Sequence, residues 1–359
     1  PPSKVAERME AFVEEGQIAG AVTLVATDGG VVRHEAVGKA DIEADRPMRP
    51  DTIFAIASMT KPVTATAVMI LVDEGKVSLD DPVSKYVPEF KDAKLRDGSK
   101  PRREVTLRDV MTHTSGLAGD QRLEGPLEET AKKLAARPLE FEPGTKWQYS
   151  PGLTVAGRVV EVASGEPFEE FLAERIFRPL GMVDTTFRLS DEQRGRLAQL
   201  YKPGPDGKGL EPASHWIHDP AEARERGPNP SGGLFSTAAD MARFYRMVLN
   251  GGELDGTRVV SKEAVEEMTR VQTGDLTTGF TPGNGWGLGW CVVREPQGVT
   301  EMLSPGTFGH GGAFGTQGWV DPERKRIFVL LIQRSGLPNS DASDMRKEFQ
   351  RLAVEAAER

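Results

Sequence analysis

The chain has 359 residues, with 45 basic and 54 acidic side chains and a formal net charge of −9. Hydrophobic residues make up 38% and charged residues 28%, the balance of a globular chain with a sizeable core rather than a disordered or fibrous one. The acidic balance argues against a nucleic-acid partner, which selects a basic face. The single cysteine, Cys291, leaves no intrachain disulfide framework and no cysteine-rich zinc site, and no apolar run reaches the ~18 residues of a membrane helix. The first residues are Pro1-Pro2, without Met, so a removed leader is compatible with the sequence. The compartment (cytoplasmic or exported) and the oligomeric state both stay open.

In chain order, Val5, Met9, Phe12 and Val13 recur at helical spacing, with Gly16 as the stop. Residues 21–27 and 31–37 flank Asp28-Gly29-Gly30 and predict a β-hairpin. Pro62 suits a first helical turn, and Val63, Ala67, Ile70 and Leu71 continue that helix to Gly75. Val155, Val159 and Val162 form another stripe. Thr237 and Asp240 read as a capping pair ahead of Met241, Phe244, Tyr245, Val248 and Leu249. Residues 286–293, 315–320 and 327–332 predict three strands, and Met345, Phe349, Leu352 and Ala353 a closing helix. Strands at both ends with helices between predict an α/β (α+β) chain. Its antiparallel sheet is built from both chain ends and flanked by the terminal helices, with a mostly helical insertion beside it. On this reading residues 1–60 and 285–359 form a discontinuous sandwich and 61–284 the inserted part. A small-molecule site is expected in the cleft between them.

Nucleotide-binding glycine loops, H-E-x-x-H and G-x-S-x-G are all missing from the sequence. His215 and His218 lie three apart in a Pro-rich stretch with no helix to aim them, so they read as a loop-packing pair rather than metal ligands. Ser58 stands out, in Ala57-Ser58-Met59-Thr60-Lys61-Pro62 at the start of the Val63 helix. Lys61 follows about one turn later, on the same face. A serine hydroxyl is a weak nucleophile until a base takes its proton, and a lysine can be that base only when burial or a nearby cation lowers its pKa. A helix start also gathers backbone N–H groups suited to a developing oxyanion. Alone, the same four residues fit an N-capping serine beside a solvated lysine.

Two more stretches change that balance. Residues 141–150, Phe-Glu-Pro-Gly-Thr-Lys-Trp-Gln-Tyr-Ser, lead into a helix, and Gly309-His310-Gly311-Gly312-Ala313-Phe314-Gly315 leads into a strand. With Ser58-x-x-Lys61, Tyr149 and His310-Gly311-Gly312 in this order, the sequence resembles the serine β-lactamase and penicillin-binding family. The resemblance is to the class C branch with its D-alanyl-D-alanine carboxypeptidases and family VIII carboxylesterases. His113-Thr114-Ser115-Gly116-Leu117, residues 179–187 and residues 232–237 support it, and it spans roughly residues 10–335. The resemblance implies a β-lactamase/transpeptidase-like fold and an acylated Ser58. It implies Lys61 as base or activator and Tyr149 as proton relay. It also implies an oxyanion hole made by the backbone N–H groups of Ser58 and Ala313, with His310, Gly311, Gly312 and Pro151 near the substrate. No metal and no cofactor is implied.

The sequence departs from the family pattern twice. Pro151 replaces the Asn of Y-x-N, removing a side-chain partner for a substrate amide. His310 replaces the Lys of K-T-G, removing a permanent cation suited to a β-lactam carboxylate. These departures point to a serine hydrolase cleaving small or short-chain esters. β-Lactam or D-alanyl-peptide hydrolysis, acyl transfer, and a penicillin-recognising module without turnover are the alternatives. His113 is expected to close a helix or fill a loop, His34 to face outward, Trp286 and Trp290 to pack a sheet face, and Cys291 to be a buried thiol. Pocket shape is left to residues 119–134 and 198–233.

Overall fold

The structure, a computed structural model, describes residues 1–119, 122 and 124–357. The first helix, α1 (Lys4–Glu14), is capped by the Ser3 hydroxyl, which accepts the Ala6 N–H at 3.1 Å, and it buries Val5, Met9 and Phe12. Gly16 ends it with φ +74°. The expected hairpin follows as β1 (Gly20–Thr27) and β2 (Gly30–Asp41), with the two-residue strand β3 (Arg46–Pro47) beside it.

The chain then leaves the sheet. Helix α2 (Thr60–Asp73) is buried from Thr60 to Leu71, so its apolar residues are not confined to one stripe. Its polar side chains are satisfied in place: the Thr64 hydroxyl donates to the Pro230 carbonyl at 2.7 Å and Thr66 to Pro62 at 2.9 Å. Packed against it is α3 (Gly152–Ser164), followed later by α4 (Ala238–Leu249), whose cap is the expected Thr237 hydroxyl accepting the Asp240 N–H at 3.2 Å.

Five strands then complete the sheet: β4 (Asn284–Trp286), β5 (Cys291–Val293), β6 (Phe308–Gly311), β7 (Gln317–Asp321) and β8 (Arg326–Leu331), before the closing helix α5 (Asp344–Ala357). Among the described residues they form one eight-stranded antiparallel sheet in the order β4-β5-β6-β7-β8-β1-β2-β3. The two chain ends meet where β8 pairs with β1, Val22 opposite Leu331 and Thr27 opposite Arg326.

The pleat sorts β1 onto two faces. Ala21 and Val25 join Met9, Phe12, Met345, Phe349 and Leu352 beneath α1 and α5. Val22, Leu24 and Ala26 join Met241, Phe244 and Tyr245 of α4 on the other side. Both faces are covered, so apolar residues point to each side of the strand instead of alternating with exposed polar ones, and Thr23 is buried among them.

One expected strand is two. Residues 286–293 fold as the hairpin β4–β5, closed by the Gly287 N–H donating to the Trp290 carbonyl at 2.7 Å. Gly289 turns with φ +78°, and a Cβ there would press on the Ala65 side chain and the Lys61 carbonyl. The turn therefore seats directly on the start of α2.

Candidate active site

Ser58 sits in a single 3₁₀ turn, Ala57–Met59, that runs straight into α2. Ala57 before it is held at φ +47°, a left-handed conformation that costs a non-glycine residue of order 1 kcal/mol or more. Neighbours hold the turn. The Ile56 N–H donates to the Leu234 carbonyl at 3.0 Å, the Leu234 N–H donates to the Thr60 hydroxyl at 3.2 Å, and Phe54–Ala55 pairs antiparallel with Phe235–Ser236. This is where the residue 232–237 stretch lies, against the back of the serine turn.

Lys61 reaches Ser58 from the next turn of helix. Its Nζ donates to Ser58 Oγ at 3.2 Å and to the Ser231 carbonyl at 2.7 Å. Lys61 is 1% exposed, and burial alone lowers its pKa from 10.5 to about 7. Ser231 is a member of the site that the sequence did not single out, because it contributes a main-chain carbonyl. Its hydroxyl is tied to Thr154 of α3 at 2.7 Å.

Tyr149 comes from the segment just before α3. Its hydroxyl donates to Ser58 Oγ at 2.7 Å, and Lys61 Nζ lies 4.5 Å from its ring centroid, over the ring. Burial, and to a smaller extent the charge of Asp341, push the phenol pKa up. Tyr149 therefore stays protonated and acts as a donor.

His113 packs against Tyr149, ring centroids 4.6 Å apart. It is fully buried at φ +59°, and its Nδ1 accepts the Ser150 N–H at 3.1 Å, which leaves the proton on Nε2. It does fill a loop, but the loop is the one that carries Tyr149. Trp147, Trp286 and the half-exposed Phe280 complete an aromatic wall, Phe280 lying 4.9 Å from the Tyr149 ring.

The third motif ends β6. His310 is 2% exposed and its Nδ1–H donates to the Gly311 carbonyl at 2.6 Å. Burial first, then the Lys61 charge, lower its pKa to about 3, so it is neutral with a bare Nε2. A Cβ on Gly312 would strike the Thr316 hydroxyl and the Ile56 carbonyl, so only glycine lets this strand end meet the serine turn so closely. Among the described residues neither the Ser58 N–H nor the Ala313 N–H has a hydrogen-bond acceptor.

Pro151 is buried at the head of α3, where its missing N–H costs nothing. Cys291 is a buried thiol whose pKa is raised by burial. His218 is buried, and its Nε2–H donates to the Ala198 carbonyl at 2.9 Å, while His215 stacks beside Trp216. His34 is half-buried, with Nε2 on the Pro50 carbonyl at 3.1 Å. Of residues 119–134, Asp120, Gln121 and Leu123 lie outside the described residues.

The sequence pattern of the Beta-lactamase family matches residues 5–353. The chain belongs to the Beta-lactamase family. Esterase EstB of Burkholderia gladioli is 35% identical, over 92% of this chain and 90% of the esterase. Penicillin-binding protein 4 of Amycolatopsis lactamdurans is 34% identical, over 96% of this chain and 88% of that protein. The solved structure of EstCE1, described as a hydrolase with promiscuous acyltransferase activity, superposes with a TM-score of 0.85. It is 25% identical and covers 98% of this chain and 97% of the other. Like other Beta-lactamase family members, the protein has the β-lactamase/transpeptidase-like fold expected from its motifs, and it is a serine hydrolase. No helix among the described residues is long and apolar enough to cross a membrane.

Proposed function

We propose that the protein is a carboxylesterase that hydrolyses small, short-chain esters through an acyl-Ser58 intermediate. The observation that carries this reading is the placement of Ser58 Oγ. It stands between an amine with a pKa of about 7, 3.2 Å away on Lys61, and a phenol that stays protonated, 2.7 Å away on Tyr149.

In the first half-reaction Ser58 Oγ attacks the ester carbonyl and its proton passes to the neutral Lys61 amine. The carbonyl oxygen, now an oxyanion, meets the free N–H groups of Ser58 and Ala313, each worth on the order of 10²–10³ in rate at comparable sites. The C–O bond to the alcohol then breaks. The departing alkoxide takes the Tyr149 proton, and Tyr149 recovers one from the Lys61 ammonium. In the second half-reaction water attacks the acyl-Ser58 carbonyl, its proton goes to the basic pair, and Ser58 regains one as the acid leaves.

Esters are favoured over β-lactams and D-alanyl peptides because the substrate side of the site is short of polar anchors. His310 is neutral where the lactamase pattern has a lysine, and Pro151 has no side-chain donor where that pattern has Asn. The similarity to named esterases supports the same reading. The cleft is taken to lie between a sandwich of residues 1–60 and 285–359 and an inserted part of residues 61–284, and the substrate to be a small molecule.

The test is turnover of p-nitrophenyl butyrate, with nitrocefin and penicillin G run in parallel under intact-mass spectrometry. Ester turnover that vanishes in a folded Ser58→Ala variant, with no β-lactam adduct, is expected. Nitrocefin turnover or a stable penicillin adduct on Ser58 would instead make the protein a lactamase or a penicillin-recognising module.

A further inference from the structure

Gly311 has no side chain, and another residue occupies the space where one would project. A Cβ added there would collide with Oδ1 of Asp341 and with the Gln317 side-chain amide. Asp341 belongs to the short turn Ser340–Ala342 ahead of α5, far along the chain from the catalytic motifs. Its carboxylate is nonetheless laid on β6 one residue past His310, and its charge is felt at Tyr149.

The placement is built. The Trp319 indole N–H donates to Gln317 Oε1 at 2.8 Å, which turns the Gln317 Nε2 toward Asp341 Oδ1 at 3.1 Å and the Ser340 carbonyl at 3.1 Å. The Asp341 N–H donates to Asn339 Oδ1 at 3.0 Å, and Arg346 donates to the Asp341 main-chain carbonyl at 2.7 Å. Arg346 itself is buried over the Trp319 ring, 4.2 Å from its centroid, and among the described residues it makes no ion pair with the Asp341 carboxylate. Arg346 nonetheless interacts with the Asp341 charge through space, so the negative charge on this side of the site is held in position without a direct ion pair but with a buried cation nearby.

The side matters. Tyr149 hands its proton to the departing alcohol, so the alcohol part of the ester lies toward Tyr149, His310 and Gly311. We propose that Asp341 is a specificity-determining residue that repels esters with a carboxylate on the alcohol part and admits neutral or cationic ones. This rests on the ester hydrolysis proposed above and deepens it by naming the charge of the substrate. It also supplies a repulsive element, beyond the missing lysine, against carboxylate-bearing substrates.

The experiment uses three butyrate esters with the same acyl group: phenyl, 3-carboxyphenyl and 3-(trimethylammonio)phenyl butyrate. Like charges roughly 6 Å apart at a partly solvated site cost on the order of tenfold in rate. The 3-carboxyphenyl ester should therefore show a kcat/KM about tenfold below the phenyl ester, and the cationic ester should equal or exceed it. Raising the salt concentration toward 1 M should narrow the spread, because the charges are partly solvated. Asp341→Asn keeps the shape and the Gln317 contact. It should bring the three esters to within about twofold of one another. Asp341→Ser, checked by thermal melting, repeats the test with a different side chain.

Equal rates for the three esters in the wild type, or an unchanged spread in both variants, would overturn the assignment and leave the esterase reading intact. No turnover of phenyl butyrate would overturn the esterase reading. Discrimination by Asp341 is then read from the rates at which neutral and carboxylate-bearing aryl phosphonates label Ser58, and equal labelling rates overturn it.

Discussion

Lys61 Nζ lies 3.2 Å from Ser58 Oγ, and the same nitrogen is held at 2.7 Å by the carbonyl of Ser231. The buried carbonyl fixes the amine beside the nucleophile, and burial brings its pKa to about 7. The free amine is the active form, so kcat/KM should fall as pH drops through about 7 and level off above it. Lys61→Met should cost at least ~10²-fold in kcat and remove that acid limb. The same substitution should stabilise the fold. A buried lysine with a folded pKa near 7 and an unfolded pKa near 10.5 leaves the unfolded state binding more protons between those values. Wild-type stability therefore rises with pH across that window and is penalised below it. Met carries no such penalty, so a melting midpoint a few degrees above wild type at pH 7 is expected. A midpoint equal to or below wild type would count against the buried charge being uncompensated.

Tyr149→Phe removes the donor to Ser58 Oγ and to the leaving group while keeping the ring against His113 and Phe280. A p-nitrophenolate leaves without a proton, whereas an alkoxide needs one. The substitution should therefore slow an alkyl butyrate by about 10²–10⁴-fold and p-nitrophenyl butyrate by clearly less. Equal losses on both substrates would assign Tyr149 to activating Ser58 rather than to serving the leaving group.

Ser58, Lys61 and Tyr149 were legible because each is a chemically distinctive side chain in a short ordered motif. The two-ended sheet was legible because its strands are short, mostly apolar runs bounded by turn residues and its terminal helices carry period-3.6 stripes. What stayed hidden has physical reasons. Ser231 acts through its backbone, which no residue type reveals. Asp341 reaches β6 from a distant turn through a gap that exists only because Gly311 lacks a side chain. The hairpin β4–β5 looked like one strand because Trp286, Leu288 and Trp290 alternate as strand residues do. Its Gly289 is instead required by contact with α2, a tertiary constraint.

His113 illustrates the same limit and gives a third prediction. It touches Tyr149 and accepts the Ser150 N–H, so it positions the tyrosine without facing Ser58. His113→Ala would leave that N–H buried and unpaired and open a cavity under the ring, costing about 2–4 kcal/mol of stability. His113→Asn can still accept the N–H and should recover part of that loss. If His113 acts only through Tyr149, both variants should lower kcat for alkyl esters more than for p-nitrophenyl esters, the same asymmetry as Tyr149→Phe. Stability loss with no such asymmetry would make His113 a core residue and nothing more.

The acid stability of the protein follows from its histidines. The chain has five, and His34, His113, His215, His218 and His310 all have pKa values below 6.5, each chiefly through burial. His218 is brought to about 4 and His310 to about 3. Unfolded, each takes up a proton near pH 6.5. Folded, each has a lowered pKa, His113, His218 and His310 by a wide margin, so the unfolded state binds more protons and stability falls as pH falls below about 6.5. Each fully neutral histidine contributes a slope of about 1.4 kcal/mol per pH unit, and for His218 and His310 it persists until pH reaches the folded value. The urea midpoint measured from pH 7.5 to pH 5, above the range where carboxylates titrate, should drop with a slope of more than one proton. His218→Gln, which can still donate to the Ala198 carbonyl, and His310→Asn should each flatten that slope by about one proton. A midpoint independent of pH down to 5 would mean that these rings gain protons while the protein is still folded, and that the site opens to water well before it unfolds.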